Sequence, residues 1–205
     1  MKTASWWRAW ALAPLPSVLL YGARYDELPV ELADLFGVLQ NPKFHPEGDA
    51  FAHTLCVVNQ AAAIARRDGL DGDDTLVLVL AALCHDFGKY PTTKLSDAGN
   101  WVAPNHDVEG VPLTESFLGG LGFAGALIGR VAELVRRHMA HASVPGQPSA
   151  RMVRRLAAKV DEAGSSMWEL RRVVEADKSG RPPLPACRSA AFELIFGEYL
   201  RQATT

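Results

Sequence analysis

Two adjacent residues, His85 and Asp86, end a long apolar stretch, LVLVLAALCHDFGK, from Leu76 to Lys89. A neutral imidazole and an ionised carboxylate at the edge of a core both lose hydration. Left unpaired, they cost several kcal/mol or are driven to neutralise. Side chains at i and i+1 point about 100° apart on a helix, so this pair converges only on an object at the helix end between them. A divalent metal ion is one such object, since it accepts an imidazole nitrogen and a carboxylate oxygen together. A simple hydrogen-bonded His-Asp pair is the other, and for a bare dipeptide it is the commoner case.

What else falls at helix ends bears on that choice. His53, His106, His138 and Asp177 each lie near the end of an otherwise apolar helical segment, and His141 follows His138 by about one turn. Side chains converging from several helices are how a bundle builds a central metal site. Taken singly, each has a plainer explanation. His53, one turn before Val57 near the inward face of its helix, is by itself more often a satisfied core residue than a ligand.

The elements that must carry these residues read as helices throughout. Pro29 opens a short helical pattern, Val30 to Leu39, that Gly37 and Pro42 end, and NPKFHPEGD is a loop whose Asp49 can cap the next helix. That helix runs from Ala50 to about Asp68 with Gly69 as its stop, and Thr75 to Phe87 follows, stopped by Gly88. Tyr90 to Asn105 has no period and is expected to be a long loop of the functional kind. Further helices are expected from His106 to the glycines at 119–122, from Ala124 to His141, from Arg151 to Ala163, from Met167 to Ala176 and from Ala186 to Ala203, with a loop from Ala142 to Pro148. No alternating strand pattern is evident, so the fold class is all-α.

Length and composition bound the rest. The chain has 205 residues, 48% of them hydrophobic, enough for one domain with an extension. A formal charge of -2 gives no global reason to expect tight nucleic-acid binding. Cys56, Cys84 and Cys187 are too scattered for a disulfide framework or a zinc knuckle and read as reduced, buried thiols of a cytoplasmic protein. Lys2 and Arg8 precede an apolar stretch, Ala9 to Tyr21, but Pro14 and Pro16 interrupt it and it makes a poor secretory signal. No stretch has the roughly 18 uninterrupted apolar residues of a membrane span. The N-terminal Trp6, Trp7 and Trp10 could dock on their own domain, on a partner or on nucleic acid.

The order His53, His85-Asp86, His106, His138 and Asp177 resembles the HD superfamily of metal-dependent phosphohydrolases. NPKFHPEGDAFAHTL, AALCHDFGK, NHDVEGVPL and EADKSGR are similar to the corresponding motifs of the HD domain appended to bacterial tRNA nucleotidyltransferases, the CCA-adding enzymes. The resemblance runs from about Asn41 to Arg181. Asp71-Gly-Asp73 offers the single candidate for a nucleotidyltransferase carboxylate pair, but it sits between helices without the glycine-serine context, so the nucleotidyltransferase head is expected to be absent.

The resemblance implies a compact helical HD-domain bundle over 41–205, with 1–40 as an N-terminal extension packing on or beside it. It implies a metal held by His53, His85, Asp86 and Asp177, with Asp86 as the bridging carboxylate where two ions bind. His106 and His138 match positions that hold a second metal or, in one-metal relatives, contact substrate phosphate. The cofactor is then one or two divalent transition-metal ions, with Ni, Mn, Co, Fe or Zn preferred to Mg.

A water activated by the metal would attack a phosphoester, and the ion would offset charge growing on its oxygens. Lys89 and Arg181 are placed to meet those oxygens, although either alone is equally well a solvated charge. His138 or His141 could protonate the leaving oxygen. The expected activity is a 2',3'-cyclic phosphodiesterase or phosphatase acting on nucleotides or RNA ends, with no membrane partner. RNA draws some support from Arg130, Arg136, Arg137, Arg151, Arg154, Arg155, Arg171 and Arg172. The rivals are a non-catalytic RNA-binding or regulatory HD module and a small-molecule 5'-nucleotidase.

Overall fold

The computed structural model describes residues 2–21, 27–142, 144 and 146–204. The expected N-terminal segment and the loop from Ala142 to Pro148 therefore fall partly outside the described residues. The centre of the molecule is set by the most apolar helix, α5 (Gly72–Cys84), in which every residue from Thr75 to Cys84 is buried. A helix apolar on all sides must be enclosed on all sides. Four helices contact it, namely α1 (Ala4–Ala11), α4 (Ala50–Asp68), α8 (Gly125–Arg137) and α10 (Met167–Ser179). The remaining helices are α2 (Pro16–Tyr21), α3 (Val30–Ala33), α6 (Lys89–Thr92), α7 (His106–Gly120), α9 (Ala150–Glu162) and α11 (Ala190–Ala203). Among the described residues the fold is all-α apart from one small hairpin. No described helix is long and apolar enough to cross a membrane.

Local chemistry sets the helix ends that matter for the site. Asp49 caps α4, accepting from Ala52 N at 2.9 Å, and Gly69 closes it in the left-handed region at φ 62°. Asp71 caps α5 by accepting from Asp74 N, and Asp73 pairs with Arg8, so both carboxylates of the Asp-Gly-Asp segment have structural partners. Ser166 caps α10, its Oγ accepting from Glu169 N and donating to Glu169 Oε2.

Several expectations need correction. Lys94–Leu95 (β1) and Trp101–Val102 (β2) pair antiparallel inside the stretch expected to be structureless, with Leu95 opposite Trp101. Two-residue strands are too short to show alternation. Helix α10 runs three residues beyond the expected end, to Ser179, which puts Asp177 within its last turn. Conversely, α3 stops at Ala33, and α11 starts at Ala190 behind its Ser189 cap. Only Cys84 of the three thiols is buried; Cys56 is half-buried and Cys187 exposed. Trp7 and Trp10 are buried, Trp7 meeting Phe117 edge-on at 5.4 Å, so neither offers a free ring face to a base.

Candidate metal centre

Four helix ends converge beside α5. His53 comes from α4, His85 and Asp86 from the turn after α5, His106 from the first residue of α7, His138 from the C-cap of α8, and Asp177 from the end of α10. All six are buried. Two glycines permit the approach. A Cβ on Gly88 would overlap the His106 carbonyl and the Gly110 nitrogen, and one on Gly180 would overlap the backbone of Val57. Both glycines therefore let ligand-bearing segments touch backbone to backbone.

Each imidazole is oriented by an oxygen acceptor at its Nδ1. Nδ1 of His85 donates to Ala82 O at 2.8 Å, that of His106 to Ala103 O at 2.7 Å, and that of His138 to Val135 O at 2.7 Å. Nδ1 of His53 faces Glu47 Oε1 at 2.7 Å and Gly180 O at 3.3 Å. A carbonyl or carboxylate oxygen can only accept, so each Nδ1 carries a proton, and a ring that holds no second proton presents a lone pair at Nε2. Burial lowers the His53 pKa, but Asp177 and Glu47 raise it on balance, so without an ion its Nε2 donates to Asp177 Oδ1. The Nε2 atoms face one another in pairs. His53 Nε2 lies 3.4 Å from His85 Nε2, and His106 Nε2 lies 3.2 Å from His138 Nε2. Such a contact is repulsive unless a proton or a cation lies between the rings.

Asp86 sits between the two pairs. Its Oδ2 is 3.2 Å from His85 Nε2 and 3.7 Å from His53 Nε2, while its Oδ1 is 3.4 Å from His106 Nε2. Donors sharing one ion with ligand bonds of about 2.1 Å lie roughly 3.0–3.4 Å apart, close to most of these separations. His53, His85 and Asp86 form one group that could hold an ion, and Asp86, His106 and His138 form a second. Asp177 joins the first through Oδ1, 3.1 Å from His53 Nε2. Asp86 Oδ2 is buried without an aligned hydrogen bond, because Lys89 Nζ at 2.7 Å makes an ion pair without hydrogen-bond geometry. An under-satisfied buried carboxylate oxygen between imidazole lone pairs is a donor set that fits a divalent transition metal.

The protein's own charges favour that state. Burial alone would raise the Asp86 carboxyl, but His85 and Lys89 hold it well below the ordinary range. Asp177 is held down in the same way against burial, chiefly by Arg181, whose guanidinium lies 2.6 Å from its Oδ1. Burial, with the nearby His106 and His85, pushes His138 down to about 3, and burial lowers His106 too. Neither ring of that pair holds a second proton at neutral pH, so a cation is the remaining way to relieve their contact.

Every residue expected at the site is gathered here. Lys89, His106, His138, His141, Asp177 and Arg181 line one cavity of about 730 Å³, with Asp86 at its floor and His53 and His85 deeper. Lys89 is not a solvated charge: it is buried and bonds Gln40 Oε1 at 2.5 Å.

The reading of single residues missed Glu47 and His45. Glu47 Oε1 is shared between His53 Nδ1 and His45 Nδ1, at 2.7 and 2.9 Å. Burial raises the Glu47 carboxyl, but those two contacts outweigh it and bring it to about 2. A carboxylate behind a ligating histidine fixes its tautomer and raises its basicity. The signal was present in NPKFHPEGD, which reads locally as a turn.

The HD domain family model matches residues 50–174, more than half of the chain. The chain belongs to the HD domain family. This HD family includes metal-dependent phosphohydrolases, in keeping with clusters of histidine and aspartate able to hold divalent ions. Among curated proteins the chain is similar to the Multifunctional CCA protein of Pasteurella multocida (strain Pm70), 45% identical over 64 residues, which are 31% of this chain and 14% of that protein. It is also similar to the Multifunctional CCA proteins of Halorhodospira halophila, 46% identical over 33% of this chain and 14% of the relative, and of Alkalilimnicola ehrlichii, 40% identical over 46% and 20%. The matched region spans only about a seventh to a fifth of the length of these relatives.

Proposed function

We propose that this HD domain is a metal-dependent phosphohydrolase that opens 2',3'-cyclic phosphates or removes terminal phosphates from nucleotides or RNA ends. The observation that carries the reading is the pair of imidazole contacts, each Nε2 to Nε2, arranged about the two oxygens of Asp86. His53, His85, Asp86 and Asp177 hold one ion in this reading. His106 and His138 hold a second, with Asp86 bridging. Bound there, divalent ions supply an acidified water and positive charge against the phosphate. Lys89 and Arg181 orient the phosphoester from the cavity wall, each already held by a carboxylate of the site.

His138 is assigned to metal rather than to proton donation, because its Nδ1–H is committed to Val135 O and its pKa of about 3 leaves it no second proton to give. His141 is left as the donor to the leaving oxygen in this reading: it is half-buried on the cavity wall with Nδ1 on His138 O at 3.2 Å, although burial lowers its pKa too. Similarity to CCA proteins supports an RNA or nucleotide substrate. Of the arginines considered for RNA, Arg130, Arg171 and Arg172 are tied to Asp74 and Glu169, to Glu193 and to Asp68, which leaves them structural work. We read 1–40 as an extension fastened to the domain at 41–205, through contacts such as that of Ser17 N with Asn59.

The test is metal content by mass spectrometry, combined with opening of 2',3'-cAMP and phosphate release from nucleoside monophosphates, for wild type, His85→Ala and Asp86→Ala. Wild type is expected to carry divalent metal and turn over one of these substrates, and both variants to lose metal and turnover together. A metal-free wild type, or variants as active as wild type, would sink the reading.

A further inference from the structure

The lining of the cavity is of two kinds. One is the charged groups already described; the other is an apolar set open to solvent. Leu39, Phe44 and Val102, exposed by 51, 51 and 39%, line the same mouth together with the half-buried Trp101. Single exposed apolar residues are ordinary, but a cluster at the rim of a polar pocket marks a ligand surface. A phosphate or sugar phosphate has nothing to place there.

We infer that Phe44 and Trp101 form a nucleobase-stacking wall, so that the substrate is a phosphoester carrying an aromatic base and not a bare sugar phosphate. The inference rests on the phosphohydrolase reading for its phosphate end and on this wall for its other end. Hydrogen bonds join the two halves of the wall and tie each to the charged floor. Phe44 belongs to the turn after Asn41, its N–H donating to Asn41 O at 3.0 Å, and Asn41 Nδ2 reaches Asn100 Oδ1 beside Trp101 at 3.2 Å. The same turn is tied inward by Gln40, which takes a bond from Lys89 Nζ and gives one to Gly48 O at 3.2 Å. Beyond the hairpin, Ala103 O accepts from His106 Nδ1. The wall is therefore joined to the phosphate-facing residues through short hydrogen-bonded links. A cavity of about 730 Å³ has room for a whole nucleotide. Stacking is tolerant of base identity because every base has a π-face, so this wall selects for a base without choosing among bases.

The test compares wild type with Trp101→Ala, Trp101→Phe and Phe44→Ala in the full chain. Adenosine binding is followed by saturation-transfer NMR, and KM is measured for AMP, ribose 5-phosphate and hexyl phosphate with Mn²⁺ present. The expected result is a KM for AMP about 5- to 150-fold below that for ribose 5-phosphate, the range that stacking supplies. Trp101→Ala should remove most of that advantage and leave ribose 5-phosphate unchanged, Trp101→Phe should restore it, and adenosine should lose binding in Trp101→Ala. Equal KM values for AMP and ribose 5-phosphate overturn the inference, as does hexyl phosphate matching AMP or Trp101→Ala weakening every substrate alike. Adenosine that binds through Trp101 while no phosphoester turns over keeps the wall and defeats the hydrolase reading. Adenosine that does not bind at all defeats the wall.

Discussion

Two clusters of charged and titratable groups tie the helices together, and they are built on opposite principles. In one, Arg67 takes both oxygens of Glu175 and one of Asp68, Arg172 takes the other oxygen of Asp68, and Arg188 adds to Glu175. Each of these contacts sets a donor against an acceptor and a cation against an anion. In the other, around Asp86, like meets like: imidazole Nε2 faces imidazole Nε2 twice, and a buried carboxylate oxygen lacks an aligned donor. Paired charges on a surface add little and cost little. Buried acceptors turned on one another are costly, and a fold keeps them where a bound cation supplies the missing charge. The contrast separates a network complete in itself from a cluster whose donor set fits a cation.

Asp86→Asn gives the largest break in that contrast. Losing the one carboxylate that faces both histidine pairs should empty both ion positions and cut turnover by more than about 100-fold, beyond the range seen for outer-shell changes. His138→Ala should remove one ion of two and leave the other, which metal counting by mass spectrometry resolves. Retention of both ions in Asp86→Asn would refute the bridging arrangement. The next effect is Glu47→Gln. It leaves every ligand in place but weakens the hold on His53 Nδ1, so metal affinity should fall by about 10- to 100-fold in a competition titration. An unchanged affinity would make Glu47 a bystander.

How far these clusters were legible in the sequence follows from the range over which each signal acts. The helices of the centre were readable because caps and apolar spacing are local: Asp49, Gly69 and Asp71 mark their ends within a few residues. The HD motifs pointed to the residues that now converge, since a motif order carries information about contacts that periodicity does not. Glu47 was hidden because its partner His53 lies across a loop that reads only as a turn. Gly88 read as a stop signal and Gly180 only as part of EADKSGR, yet both permit close backbone packing across helices, a long-range fact that no local pattern encodes. Trp101 escaped because a two-residue strand has no period. The arginines were visible as charge, but which of them are consumed by ion pairs depends on partners up to 108 residues away, as for Arg67 and Glu175.

The comparison sharpens further when ions are supplied and withdrawn. A ligand at 100 times its Kd stabilises the folded state by about 2.7 kcal/mol, which for a chain of this length is roughly 5–11 °C in Tm. Thermal unfolding with Mn²⁺ against chelator should show a shift of that size in wild type. It should persist in Arg67→Ala and vanish in Asp86→Asn. A shift of equal size in all three proteins would mean that the ion binds elsewhere.

The smallest expected effect belongs to the self-satisfied network and is best read against pH. The hydrogen bond from Arg67, and with it Arg172 against some burial, lowers the Asp68 carboxyl to about 2. An unfolded aspartate titrates near about 3.9. The folded value lies below the unfolded one, so the unfolded chain binds the proton more readily in between. The stabilisation is fully present above about pH 4 and is lost as pH falls towards 2. Since these side chains are partly exposed, Asp68→Asn should cost about 1 kcal/mol or less at neutral pH and flatten that acid limb in denaturant titrations. Metal content and turnover should stay at wild-type levels. If Asp68→Asn instead altered metal affinity, the two clusters would be coupled through α4 and α10, and the division between a structural network and a functional centre would fail.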